Sequence, residues 1–230
     1  MPSQGSGVMP GGPGWLTLAL KRLLDLTGAV LALAILSPLL LALSVRVHLK
    51  VGSPVIFRQF RAGKNGRPFR LWKFRTMTSA RDATGQLLPD RDRLTKLGSS
   101  LRIYSLDELP NLFNVLVGNM SLVGPRPLLM RYVPRYSDRQ RLRLQVKPGL
   151  TGLAQLSGRN ALDWDARLEL DAQYAERISV LLDVSLLLKT AWKVVTREGV
   201  MVTGELEEFW GPSGKPAGAA SRGAEENEWR

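Results

Sequence analysis

The chain has no cysteine and only one histidine, His48. The first absence excludes disulfides and thiolate catalysis, and the second a multi-histidine metal site. Acids are also scarce: 20 Asp and Glu stand against 32 Lys and Arg, a formal charge of +12. The shortage is local. From Arg46 to Arg81 there are ten Lys or Arg and no acid, and from Arg126 to Lys147 seven against the single Asp138. Blocks of this kind seek anionic partners: lipid headgroups, phosphates or nucleic acid. No helix-turn-helix, zinc spacing or aromatic RNA-binding signature accompanies them. A basic nucleic-acid module is therefore only the lesser reading that clustered arginine permits.

Charge is missing altogether from Leu26 to Val45, a run of twenty residues. A straight helix of that length rises about 30 Å, enough to cross a bilayer core. Ser37-Pro38 interrupts it near the middle. Pro38 removes a backbone donor and crowds the carbonyl four residues earlier, which predicts a kink. The Ser37 hydroxyl can satisfy the freed carbonyl and make the break tolerable in lipid. Basic residues flank both ends, Lys21 and Arg22 before, Arg46 and Lys50 after, with His48 at the foot. A single span prefers its cations on one side. Cations at both ends suit a re-entrant hairpin that dips into one leaflet and returns. An ordinary span is the main rival, ahead of a signal peptide or a buried core helix.

Around this anchor, placed at 15–49, residues 1–14 are Gly/Pro/Ser-rich and read as a disordered tail. Val55-Ile56-Phe57 and Phe69-Arg70-Leu71-Trp72 read as strands joined by a turn at Gly63-Lys64-Asn65-Gly66. The stretch 78–93 is polar and loop-like. Helical pattern resumes near Leu94, again over 107–117, across 127–145, and over 161–178 and 182–198. In the last of these Lys189, Lys193 and Arg197 recur every four residues on an apolar background, an amphipathic stripe. The core therefore spans 50–200, and 201–230 reads as a second tail. The fold class is α+β, mostly helical, and no internal repeat is visible.

The chemistry concentrates in Ser105-Leu106-Asp107-Glu108-Leu109-Pro110. Ser105 and Glu108 have the spacing of a capping box, and Pro110 suits a first turn, so a helix start is expected. Carboxylates there are favoured as anions. An ionised Asp can attack phosphorus, and its neighbour can hold Mg2+ against substrate phosphates. Taken alone, such a pair is as readily a capped, solvated helix end. Its company decides otherwise. Asp107-Glu108-Leu109-Pro110-Asn111 leads to Asn114-Val115-Leu116 and to Met120-Ser121-Leu122-Val123-Gly124-Pro125-Arg126-Pro127. Pro148-Gly149-Leu150-Thr151-Gly152-Leu153-Ala154-Gln155 and Gly158-Arg159-Asn160 follow. Phe57-Arg58-Gln59, Arg61, Gly63 and Lys73-Phe74-Arg75-Thr76-Met77 precede. Over about residues 17–200, in this order, the chain resembles the bacterial sugar transferases known as small monotopic phosphoglycosyl transferases.

That resemblance implies a kinked re-entrant membrane helix, a short β-hairpin and a helical catalytic core lying on the membrane surface. It implies transfer of a sugar 1-phosphate from a UDP-sugar to undecaprenyl (polyprenyl) phosphate, with release of UMP. This is the first membrane step of glycan or exopolysaccharide assembly. Asp107 becomes the nucleophile and Glu108 the residue that holds Mg2+. Lys73, Arg75, Arg102, Arg126, Arg159 and Asp183 become candidate substrate-binding residues. Arg126, stiffened between two prolines, can present a fork to phosphate; an ion pair at a helix start is its bland alternative. Asp183 is either a cap or a site residue. Implied surroundings are the cytoplasmic face of the bacterial inner membrane, with membrane lipids as partners, a homodimer allowed and no nucleic acid. Asn119 stands where many relatives carry an acid, so no metal role falls to it. A non-catalytic membrane scaffold is the remaining alternative, and the intact Asp107-Glu108 pair opposes it.

Overall fold

The computed structural model describes residues 13–158, 162–196, 208–211 and 214. It is mostly helical, with one long apolar helix at the N-terminus and two small sheets. Helix α1 runs over Trp15–Lys50. Strands β1 (Ile56–Ala62) and β2 (Pro68–Phe74) form an antiparallel hairpin that pairs Ile56 with Phe74 and Ala62 with Pro68. A short turn of helix, α2 (Asp90–Arg93), precedes α3 (Lys96–Ile103) and α4 (Asn111–Leu116). Strand β3 (Ser121–Val123) pairs in parallel with β4 (Gly149–Thr151), and α5 (Asp138–Arg141) lies between them in sequence. Helices α6 (Leu153–Ser157), α7 (Trp164–Glu176) and α8 (Val180–Thr196) complete the body.

Helix α1 is continuous through Pro38. The Ala34 carbonyl, which Pro38 deprives of its amide donor, accepts the Ser37 hydroxyl at 2.9 Å, the repair anticipated from the sequence. One stripe of α1 packs on the body: Lys21, Asp25, Ala29, Leu43 and Val47 are buried, and Leu36 and Leu40 are partly so. Their spacing of three, four or seven residues places them on a single face. Leu23, Leu31, Ile35, Leu41 and Leu49 remain exposed.

The N-terminal cations of α1 do not flank an apolar segment as free charges. Lys21 is buried, paired with Asp183 and hydrogen-bonded to the Val123 carbonyl at 3.0 Å. Arg22 donates to the Val115 and Leu116 carbonyls at 2.7 and 2.8 Å, capping the C-terminal end of α4. Asp25 accepts from the Ser121 hydroxyl and the Leu122 amide at 2.8 and 2.9 Å. These contacts lock the helix to β3.

The β3–β4 pair was not foreseen, because three-residue strands carry no periodicity. Glycine makes it possible. A Cβ on Gly149 would sit 2.0 Å from the Gly124 nitrogen and 2.6 Å from the Val123 carbonyl carbon. Gly149→Ala is therefore expected to destabilise the protein by about 3 kcal/mol. A thermal melt of the detergent-solubilised variant checks this, and a wild-type midpoint would refute it.

Two expected elements differ. The helix foreseen across 127–145 is three short turns, Met130–Arg135, α5 and Leu142–Gln145. Pro134 denies the chain a donor, and the Ser137–Gln140 capping box restarts it. The second difference lies in the segment assigned to a C-terminal tail. Residues 208–211 pack on the body, with Phe209 buried among Leu128, Tyr132, Tyr136 and Leu168.

Candidate active site

Asp107 and Glu108 lie in a single 3-10 turn, Leu106–Glu108, rather than at the start of a capped α-helix. Ser105 makes no side-chain cap and adopts φ 54°, the left-handed region. A non-glycine residue there costs on the order of 1 kcal/mol and is held by its surroundings. Asn111, buried at the head of α4, accepts the Trp72 amide at 3.0 Å and the Asn114 amide at 3.2 Å. It thereby fixes the dyad turn against β2, the strand that carries Lys73. Sequence reasoning gave Asn111 no role, although it ends the Asp107-to-Asn111 motif.

The geometry separates the two carboxylates. Glu108 Oε1 accepts both Lys73 Nζ and Arg126 Nη2 at 2.7 Å, and its other oxygen meets Arg126 Nη1 at 3.4 Å. Burial works to raise the Glu108 pKa, but the Arg126 and Lys73 cations prevail and hold it far below the usual carboxylate range. Asp107 is buried, and its ion pair with Lys73 is longer, 3.9 Å. Among the described residues no donor hydrogen-bonds its carboxylate. Burial pushes its pKa up; Lys73 opposes this, and the Glu108 charge adds to it. Adjacent acids whose environments drive their pKa values apart are suited to different roles.

Both line a cavity of about 1440 Å3 whose wall is strongly basic. Of the candidate substrate-binding residues, Lys73, Arg75, Arg102 and Arg126 all line it. Arg75 is spent on local structure, donating to the Met77 and Ser53 carbonyls at 2.9 and 2.6 Å. Arg102 donates to the Thr76 hydroxyl at 3.0 Å. Arg159 lies outside the described residues. Asp183 does not line the cavity. It is sealed between Lys21 and the Tyr174 hydroxyl (2.7 Å), as a fastening for α1. Arg143, Arg167 and Asp171 also line the cavity and were not singled out. Arg143 is one of seven cations in its block, and nothing local marks it as the one turned inward.

Among the described residues no cluster of three or more His, Asp or Glu side chains could hold a metal ion alone. Mg2+ needs no such cage, since it commonly takes one or two carboxylates and completes its shell with phosphate oxygens and water. The donor-free Asp107 carboxylate and the outer Glu108 oxygen fit that shared mode.

A carboxylate pair in unlike environments, set in a cation-lined cavity, suits the binding of phosphate esters. The family comparison narrows the class: the model for the bacterial sugar transferases matches residues 16–197, and the chain belongs to that family. It is a transferase. The uncharacterized sugar transferase EpsL of Bacillus subtilis is 51% identical over 196 residues, covering 84% of this chain and 97% of its own length. The undecaprenyl-phosphate galactose phosphotransferase of Salmonella typhimurium is 39% identical across 78% of this chain. The UDP-glucose:undecaprenyl-phosphate glucose-1-phosphate transferase of Escherichia coli is 40% identical across 76% of it. The chain spans about two-fifths of the length of these last two, 41% and 40%.

Proposed function

We propose that this transferase moves a sugar 1-phosphate from a UDP-sugar to undecaprenyl phosphate and releases UMP, through a phosphosugar carried on Asp107. The contrast within the dyad carries the reading. Two cations occupy Glu108, while Asp107 keeps its lone pairs and faces the cavity. An Asp107 oxygen attacks the sugar-bearing phosphorus, and the bond to the UMP phosphate breaks with its electron pair leaving on UMP. An oxygen of undecaprenyl phosphate then attacks the same phosphorus and displaces Asp107. Lys73 and Arg126 offset charge on the diphosphate and hold it in place, the main contribution a protein makes to phosphoryl transfer. Glu108 would hold Mg2+, which supplies further neutralisation of the phosphate oxygens when bound. Incubating the detergent-solubilised protein with undecaprenyl phosphate and a panel of UDP-sugars tests the reaction. UMP release with one sugar supports it, and none with any sugar refutes it.

The lipid acceptor calls for a site at the membrane surface, and we place α1 in one leaflet as a re-entrant anchor on the cytoplasmic face of the inner membrane. Its exposed leucines offer an apolar outer face. Both ends of its packed stripe, Lys21 and Val47, are buried against the same body. If α1 crossed the bilayer, that charged body would follow it into lipid, at prohibitive cost. Single cysteines at positions 15 and 50 are expected to label from the same side of inverted vesicles. Labelling from opposite sides would establish a span instead.

A further inference from the structure

We infer that the C-terminal segment Glu208–Trp210 is a positioning element for Arg126, acting through Tyr136 and Arg143. The inference rests on the proposal that Arg126 engages the donor phosphates. The segment is held at several points. The Phe209 ring is buried, with ring centroids 5.7 Å from Tyr132, 5.7 Å from Tyr136 and 5.3 Å from Trp164. Glu208 pairs with Arg135 at 3.2 Å and Arg131 at 3.6 Å. The Arg135 guanidinium also donates to the Phe209 carbonyl and lies 4.8 Å from the Trp210 ring centroid.

From Phe209 a chain of contacts leads to the dyad. The Tyr136 hydroxyl accepts Arg143 Nη1 at 3.1 Å. Arg143 is 3% exposed and grips Asp171 Oδ2 through Nε and Nη2 at 3.1 and 2.9 Å. Its Nη2 also donates to the Arg126 backbone carbonyl at 2.6 Å. Arg126 in turn presents its fork to Glu108. A guanidinium whose donors are divided among a phenol, a carboxylate and a backbone carbonyl has little freedom to re-aim. The Arg126 backbone is thus pinned by Arg143 as well as by Pro125 and Pro127. Removing the Phe209 ring opens space beside Tyr136, frees its hydroxyl to shift, and loosens the anchor of the Arg126 backbone. Misplacement by about 1 Å is enough to weaken a phosphate clamp severely.

The test uses Phe209→Ala and Phe209→Leu in the full chain, with donor kinetics normalised to the number of active sites. Phe209→Ala is expected to raise the donor KM about tenfold while kcat per active site changes less than about twofold, and Phe209→Leu to restore most of the loss. On an Arg126→Lys background, Phe209→Ala is expected to add little, because residues acting through one another are not additive. Hydrogen exchange at the Gly124, Arg126 and Leu128 amides is expected to speed up in Phe209→Ala. A wild-type KM, full additivity with Arg126→Lys, or a loss confined to the number of active sites would overturn the inference. The exchange measurement stands apart from the chemistry. If no UDP-sugar is turned over by the wild type, unchanged exchange at these three amides still refutes the mechanical link, and faster exchange keeps it.

Discussion

Asp107→Asn is expected to abolish turnover, by a factor of at least about 10^3, and to abolish the proposed phosphosugar adduct on the protein. The amide has nearly the same shape as the carboxylate but no charge and no nucleophilic oxygen. Donor cleavage without acceptor, followed by intact-protein mass, reads the effect directly. The wild type is expected to gain the mass of one sugar phosphate and the variant none. Glu108→Gln should behave differently. It leaves Lys73 and Arg126 without their anionic partner, so the rate falls while any product still passes through Asp107. Stability moves the opposite way in the first variant. The folded-state pKa of Asp107 is raised, so the folded protein binds more protons there than the unfolded chain between the two pKa values. Ionised Asp107 therefore costs stability at neutral pH, and Asp107→Asn removes that cost. The inactive variant should melt above the wild type. Activity answers to the same raised pKa, but in the opposite direction. Donor cleavage should fall on the acid side as pH drops through a pKa higher than that of an ordinary aspartate. Wild-type rates in Asp107→Asn would remove the residue from its role.

The dyad and the cations of its wall were legible because they sit in long local motifs that hold their residues close in sequence. Lys73 and Arg126 required only that two motifs converge. The geometry of the turn was not legible. Ser105 and Glu108 have capping-box spacing, yet Ser105 goes left-handed and leaves the carboxylates in a 3-10 turn. Spacing cannot show which φ a serine adopts. Helix α1 misled in another way. Its leucines and alanines are so uniform that no stripe stands out, so Lys21 and Arg22 read as membrane-flanking charges. Their partners, Asp183 and the α4 carbonyls, lie 162 and about 93 residues away, beyond any local rule. Asp183 then read as a site residue for want of its partner. Phe209 was lost in a segment whose composition is that of a linker, because one buried aromatic does not change an average.

Lys21→Met should be the most destabilising single change outside the site, by about 3–5 kcal/mol, because it strands a carboxylate that has no exposure at all. Asp183 would keep only the Tyr174 hydroxyl. Burial already raises its pKa, against the opposing pull of Lys21, and without Lys21 the shift grows. Between the unfolded and folded pKa values, stability then falls as pH rises, so the deficit of Lys21→Met should shrink as pH falls towards the ordinary aspartate range. Replacing both partners is the informative control. Lys21→Met with Asp183→Leu removes the stranded charge together with its counterion and should recover much of the loss. Thermal melts of the wild type and the two variants over a falling pH series decide it. A single variant that melts like the wild type, or a double variant no better than the single, would show that the pair does not fasten the helix. The consequence reaches the site through β3. Lys21 also binds the Val123 carbonyl, and Val123 ends the strand that runs directly into Gly124-Pro125-Arg126. The contact that holds the apolar helix to the body therefore also sets where the guanidinium of Arg126 begins its reach toward Glu108.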